Sequence, residues 1–117
     1  MSRNNQHEAC VLASKFRNLH IYGAWWYCNN PSIIAEITKM RIEMLGTACT
    51  LQHSDARVLD QLLYKWPHSR AVIASVLQEQ YTKLAVSGWS PTRAEIRRDV
   101  ERLFGKSYEE FMVKSLK

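Results

Sequence analysis

Residues 90–117 read SPTRAEIRRDVERLFGKSYEEFMVKSLK and predict two short helices joined by a tight turn. Thr92 and Glu95 have the spacing of a capping box, in which each side chain accepts the other residue's backbone N–H. Gly105 follows an apolar stripe and suits a left-handed residue at a helix C-terminus, since glycine has no Cβ. Ser107 then starts a second helix. This stretch is therefore a helix-turn-helix candidate.

Basic side chains crowd the same stretch, and this pattern favours binding to nucleic acid. The alternative is a packing corner that joins two helices and binds nothing. Glu109 and Glu110 open the second helix and would repel phosphate, so we assign them to a protein partner. The residues predicted to contact DNA are Arg93, Arg97, Arg98, Arg102, Lys106, Ser107, Tyr108 and Lys114.

Apolar periodicity predicts helices along the rest of the chain, about six short ones in all, and no strand. The first four are expected over residues 7–19, 31–45, 54–66 and 69–87, with Pro67 ending the third. In that third helix the apolar residues expected to face the core are Val58, Leu59, Leu62, Leu63 and Trp66. Residues 1–117 are predicted to form a single helical domain, with 90–117 as its helix-turn-helix.

An aromatic stretch, HIYGAWWYC at residues 20–28, does not fit an amphipathic helix. Its rings are either buried anchors of the core or an exposed platform that contacts a partner. Trp25 and Trp26 are candidates for partner binding if the platform is exposed. As core anchors, we expect Trp25 or Trp26 to be buried together with Trp66 and Trp89.

Composition narrows the class of protein. The net charge of +5 and a pI of about 9.3 favour anionic partners. The chain has no apolar run long enough for a membrane span and no secretion signal at its start, so we expect it to act in the cytoplasm where it is made. The three cysteines and four histidines lack the paired spacing of a metal site.

Catalytic patterns are equally scarce. Only four glycines are present, without a cluster that would cradle phosphate, and no nucleophile elbow or His-x-x-x-His pair is found. We therefore predict no catalytic residue, no cofactor, no metal and no small-molecule substrate.

Three local patterns resemble the small late-gene antitermination proteins of lambdoid bacteriophages, the Q-like group. LHIYGAWWY at 19–27 resembles their aromatic element, and SDARVLD at 54–60 resembles the start of their middle helix. Glu101 and Lys106 depart from the small and apolar residues usual in the group's helix-turn-helix. The C-terminal patterns that resemble its sigma-factor-like module are LQEQY (77–81), WS (89–90), LFGKS (103–107) and Phe111.

The resemblance implies an all-α transcription antiterminator that binds double-stranded DNA near a late promoter and loads onto the host RNA polymerase. Such a protein is not an enzyme and acts in the cytoplasm of a bacterial host cell. The alternative is a small helical regulator that binds only other proteins.

Overall fold

The computed structural model describes residues 3–23, 29–52 and 54–114. Within these ranges all the regular secondary structure is helical and no β-strand forms, which confirms the all-α prediction. The α-helices are α1 (Gln6–Lys15), α2 (Pro31–Leu45), α3 (Leu62–Val86), α4 (Arg93–Glu101) and α5 (Ser107–Met112). Shorter helical turns are the 3-10 turns Arg3–Asn5 and Leu59–Gln61 and the π-helical turn Arg102–Lys106.

Helix α2 begins and ends where the sequence predicts. Pro31 occupies its first turn, where the missing N–H costs nothing. Gly46 follows the last residue with φ 58°, a left-handed angle that glycine adopts without strain. Ile34 and Ile37 are buried on the inner face of the helix.

The predicted helix over 54–66 is wrong, and so is the predicted break at Pro67. Residues 54–58 are irregular, and α3 runs through Pro67 without ending. Pro67 has no N–H to donate to the carbonyl of Leu63, so one helical hydrogen bond is missing near the start of the helix. Leu63 is 80% exposed, so water can donate to that carbonyl instead. Val58, Leu59, Leu63 and Trp66, predicted to face the core, are exposed instead.

The C-terminal helix pair forms, with the predicted cap. Thr92 Oγ1 accepts the backbone N–H of Glu95, and the Glu95 carboxylate accepts the backbone N–H of Thr92. The connection differs from a simple turn, since α4 continues into the π-helical turn and the helical path breaks only at Gly105, with φ 153° and ψ −37°. The Ser107 hydroxyl is buried there and donates to the carbonyls of Cys49 and Arg102.

A single hydrophobic core connects the elements. Helices α1 and α3 pack on α2, and Leu103 of the π-helical turn reaches the same cluster. Trp66 and Trp89 lie outside it, exposed by 39% and 51%, so their predicted burial is wrong. The buried members of the cluster are Ala9, Ile21, Ile34, Cys49, Leu51, Ile73, Leu77 and Leu103.

Two short extended segments flank α2 and pair in parallel. We call residues 20–22 segment A and residues 50–52 segment B. Tyr22 and Thr50 form an isolated parallel bridge, in which the Thr50 N–H donates to the Ile21 carbonyl at 2.9 Å. Parallel neighbours joined through a helix have the connectivity of a β-α-β unit. Because the bridge is parallel, segments A and B run in the same direction.

No helix in the described ranges is both long enough and apolar enough to cross a membrane.

Candidate functional site

The parallel bridge places the carboxyl ends of segments A and B on one side of the molecule. Residues 24–28, which include Trp25 and Trp26, lie outside the described residues. Segment B is followed by residues 54–61, which we call the site loop.

The site loop contains two charged residues, Asp55 and Arg57, in a constrained backbone. Asp55 has φ 45°, the only positive φ among the described residues that are not glycine. Such conformations are held in place by their surroundings and cluster at functional sites. The Lys65 ammonium donates to the Asp55 carbonyl at 3.0 Å, and the Arg57 N–H donates to the Gln61 side chain at 2.9 Å. Both contacts fix the backbone, while the Asp55 and Arg57 residues remain exposed.

The site loop lines a cleft of about 630 Å³, within the usual size range of small-molecule sites. Arg57 and Asp60 bring opposite charges to its wall, and Ser54 adds a hydroxyl. Apolar side chains make the remaining wall, as in most ligand sites. They are Ala56, Val58, Leu59, Leu62 and Trp66.

An arginine from α3 fixes the start of the site loop. Arg70 Nε donates to Gln52 Oε1 at 2.8 Å. Its guanidinium lies 5.7 Å from the ring centroid of Trp66 and 5.9 Å from that of Phe104, within the range of cation–π attraction. Gln52 follows the buried Leu51 directly, so this contact sets the direction in which the chain leaves segment B.

Aromatic rings attach α5 to the other side of the segment pair. His20 Nε2 and Thr50 Oγ1 lie 3.0 Å apart, which adds a side-chain bond beside the parallel bridge. The His20 ring contacts Tyr108 and Phe111 at centroid distances of 5.8 and 5.2 Å. Burial lowers the pKa of His20, so the imidazole is neutral near pH 7 and serves the packing.

The residues predicted to bind DNA differ in exposure and pairing. Arg98 pairs with Asp99 at 2.9 Å, and Arg102 pairs with Glu110 at the same distance. Ser107 is buried, Tyr108 stacks near His20, and Lys114 Nζ donates to the Arg17 carbonyl. The exposed residues of the set include Arg93, Arg97 and Lys106.

Glu109 and Glu110, both assigned to a protein partner, are exposed. Glu110 also forms the ion pair with Arg102. Whether any of these side chains contacts a partner is not tested by this geometry and stays a prediction.

Metal binding finds no group of donors in the described part of the chain, where no cluster of three or more His, Cys, Asp or Glu side chains could hold an ion. Burial raises the pKa of the Cys10 thiol and raises that of Cys49 to about 11. Both thiols are therefore protonated near neutral pH, the form that does not bind metal.

Sequence reasoning placed Asp55 and Arg57 in a helix and so did not select them as candidate site residues. The apolar residues within 19–22 and 48–51, on either side of α2, were a signal for the short paired segments, although neither segment forms a β-strand.

A crystal structure of a uronate isomerase from Bacillus halodurans C-125 matches this chain with a TM-score of 0.91 and 54% sequence identity. The match covers 97% of this chain and 27% of that protein, so the chain spans about a quarter of the isomerase's length. No family model matches the chain, and no curated protein matches it either.

This similarity overturns the functional predictions. The resemblance to antitermination proteins is wrong, because the match extends over nearly the whole chain whereas the phage patterns were short. Double-stranded DNA and RNA polymerase as partners are wrong with it, as is the alternative of a regulator that binds only proteins. The predictions that the protein is not an enzyme and has no small-molecule substrate are contradicted by the same finding.

Proposed function

We propose that this chain forms part of a uronate isomerase, in which the site loop binds the sugar acid. The observation that carries the proposal is the 54% identity and 0.91 TM-score to such an enzyme over 97% of the chain.

Arg57 is the residue we assign to the carboxylate of the substrate. A uronate is a sugar acid, and a guanidinium can donate two parallel hydrogen bonds to a carboxylate. The Arg57 backbone is held by Gln61, and its side chain lines the cleft. Anchoring the backbone in this way reduces the entropy lost when the side chain orders on the substrate.

Asp55 is the residue we assign to proton transfer. An isomerase leaves the atoms of its substrate unchanged in number, so the reaction moves hydrogen within the molecule. A positioned carboxylate can take and return a proton in such a step. The Lys65 contact holds the Asp55 backbone at its positive φ, and the Asp55 residue is exposed next to the cleft-lining Ser54 and Ala56.

Exchanging the matching segment tests the proposal. The part of the Bacillus isomerase that aligns with this chain is replaced by the chain, and conversion of a uronate is measured. We expect an active chimera. Asp55→Asn should lower its kcat by about 10²–10⁴-fold, and Arg57→Lys, which keeps the charge but loses the fork, should raise KM about tenfold.

The controls are Glu8→Gln on α1 and Arg97→Lys on α4, both exposed and remote in sequence from the site loop. We expect both to leave kcat and KM unchanged. A chimera that folds, as judged by a cooperative melting transition, yet converts no uronate would overturn the proposal. Asp55→Asn and Arg57→Lys variants as active as the parent chimera would overturn the two assignments.

We further propose that residues 1–117 act as one structural unit of that enzyme. The hydrophobic core supports this, because its buried residues come from α1, both extended segments, α2, α3 and the π-helical turn. The cytoplasm remains our proposed location.

A further inference from the structure

The short C-terminal helix α5 depends on its contacts with the segment pair. It is only six residues long, and a helix of that length is unstable in water without tertiary packing. The helical path breaks directly before it, at Gly105, where φ is 153°. The contacts of α5 with segments A and B therefore decide whether this helix is docked or open.

Aromatic rings provide the side-chain packing of α5, with His20 between them and segment B. The centroid of the His20 ring lies 5.8 Å from that of Tyr108 and 5.2 Å from that of Phe111. Tyr22 adds a contact with Tyr108 at a centroid distance of 6.1 Å. On the other side, His20 Nε2 lies 3.0 Å from Thr50 Oγ1. One imidazole thus joins segment A, segment B and α5.

Polar contacts add to the rings at both ends of α5. Ser107 Oγ donates to the carbonyl of Cys49 at 2.9 Å, and beyond the helix Lys114 Nζ donates to the carbonyl of Arg17 at 3.3 Å. Val113 is 85% exposed, so the far end of the helix buries little apolar area. Water competes for the exposed polar contacts, so the ring contacts carry most of the docking.

A charge on His20 finds no carboxylate among the contacts described for its ring. Segment B presents a hydroxyl to it, and the titratable side chain of α5 in contact with it is the Tyr108 phenol. Glu109 is exposed, and Glu110, also exposed, forms an ion pair with the π-helical turn. Burial lowers the pKa of His20 for this reason, since water is partly removed from the ring and no negative charge replaces it.

We propose that α5 is a pH-sensitive latch, in which protonation of His20 weakens its packing on Tyr108 and Phe111 and releases α5 from the segment pair. Among side-chain types, only histidine ordinarily changes charge between pH 5 and 8. In the open state the ring meets water and takes up a proton at about pH 6.5, whereas in the docked state burial keeps it neutral to lower pH. The docked state is therefore fully stable above about pH 6.5 and loses stability as the pH falls below that value.

Opening of the latch changes the surroundings of segment B. The Ser107 hydroxyl then leaves the carbonyl of Cys49, the residue directly before that segment. Segment B leads into the site loop, so the latch links the pH to the part of the chain that precedes the candidate site. The inference is independent of the proposed function, because docking of α5 can be measured without a substrate.

Amide hydrogen exchange of the full chain measures the latch. The protection factor of residues 107–114, which corrects for the intrinsic effect of pH on exchange, is compared at about pH 7.5 and about pH 5.5, on either side of the ordinary histidine value of about 6.5. We expect it to fall by about three- to tenfold, the upper limit for one group that titrates only in the open state. Amides of α2 should be far better protected at both pH values, which distinguishes local opening from global unfolding.

Two histidine substitutions identify the group responsible. His20→Gln cannot take up the proton and keeps an amide that can bond to Thr50, so its protection factor over residues 107–114 should be the same at both pH values. His68→Gln changes an exposed histidine on α3 and is the matched control. We expect it to lose protection over residues 107–114 as the parent chain does.

A measurement without substitution keeps the test decisive if His20→Gln does not fold. Proton NMR of the parent chain follows the His20 imidazole, and we expect its titration midpoint to lie below about pH 6.5. A midpoint at or above that value would show that attraction between the imidazolium and the rings outweighs burial, and would overturn the proposal. The same loss of protection in His20→Gln as in the parent would overturn it too. So would a segment 107–114 that is unprotected at about pH 7.5 or as protected as α2 at both pH values.

Discussion

At the scale of single residues, the contact between Tyr81 and Asp99 gives a pH-dependent stability. Tyr81 Oη donates to Asp99 Oδ2 at 3.1 Å. Burial, and next the negative charge of Asp99, raise the pKa of Tyr81 to about 12. The folded state therefore favours the neutral phenol. This contribution is fully present below the unfolded pKa of about 10 and is lost as the pH rises towards the folded value.

We expect the free energy of unfolding of the parent chain to fall more steeply between pH 10 and about 12 than that of Tyr81→Phe. Urea unfolding at a series of pH values measures both. The comparison with phenylalanine is needed because the Cys49 thiol also has a raised pKa of about 11 and titrates in the same window. Parallel pH profiles for the two proteins would show that the Tyr81 phenol is not perturbed as described.

Residue patterns that act over three or four positions could be read from the sequence. The Thr92–Glu95 capping box formed as predicted, because its two hydrogen bonds depend only on residues within one turn. Asp55 and Arg57 could not be recognised in this way. Their position at the end of segment B depends on pairing between Tyr22 and Thr50, which a local pattern does not encode.

At the scale of secondary-structure elements, the N-terminus of α4 offers a choice between two caps. Ser90 and Thr92 are both capping residue types, and the structure selects Thr92. Thr92→Ala should lower the free energy of unfolding by about 0.5–2 kcal/mol. Ser90→Ala is the matched control and should change it by less than about 0.5 kcal/mol. Urea unfolding measures the free energy of unfolding of both variants. Equal losses for Thr92→Ala and Ser90→Ala would show that the cap at Thr92 contributes nothing.

The third predicted helix shows why element assignment failed between Ser54 and Trp66. Apolar residues at helical spacing predict the inner face of a helix, but the same spacing also occurs on surfaces that contact another polypeptide. Val58, Leu59 and Leu63 are exposed within this chain. Periodicity identifies residues suited to burial without saying what buries them.

The proline in α3 failed as a boundary for a different reason. Pro67 lies in the second turn of α3. It lacks the N–H that would donate to the carbonyl of Leu63, so that carbonyl loses its partner within the helix. Downstream, Ile73, Val76 and Leu77 bury one face of the helix, and this packing favours continuing the helix over ending it. The helix predicted over 69–87 forms along nearly all of that range as part of α3, although its predicted start is wrong.

At the scale of the whole molecule, the all-α class followed from composition and periodicity, whereas the function did not. Arginines on α4 suggested a nucleic-acid surface, yet Arg98 and Arg102 are paired with carboxylates. One of those carboxylates, Glu110, lies on another helix, so its pairing depends on how α4 and α5 pack together. Charge counted along a sequence therefore overstated the basic surface.

The stability of the isolated chain should depend on the core cluster and not on exposed apolar residues such as Leu63. Ile73 is fully buried in the core cluster, and Leu63 is on the same helix but 80% exposed. Ile73→Ala should cost about 2–5 kcal/mol through lost burial and the cavity left behind, whereas Leu63→Ala should cost less than about 0.5 kcal/mol. Urea unfolding of the isolated chain measures both losses.

The cost of Ile73→Ala can exceed the total free energy of unfolding of a small domain. Ile73→Val therefore accompanies it, with an expected cost of about 0.5–1.5 kcal/mol, so that a folded variant remains to be measured. Comparable losses for Ile73→Val and Leu63→Ala would contradict this division between core and surface. Helix α3 therefore carries both kinds of residue: Ile73 and Leu77 are buried in the core of this chain, and Leu63, more than two turns towards the N-terminus, is exposed.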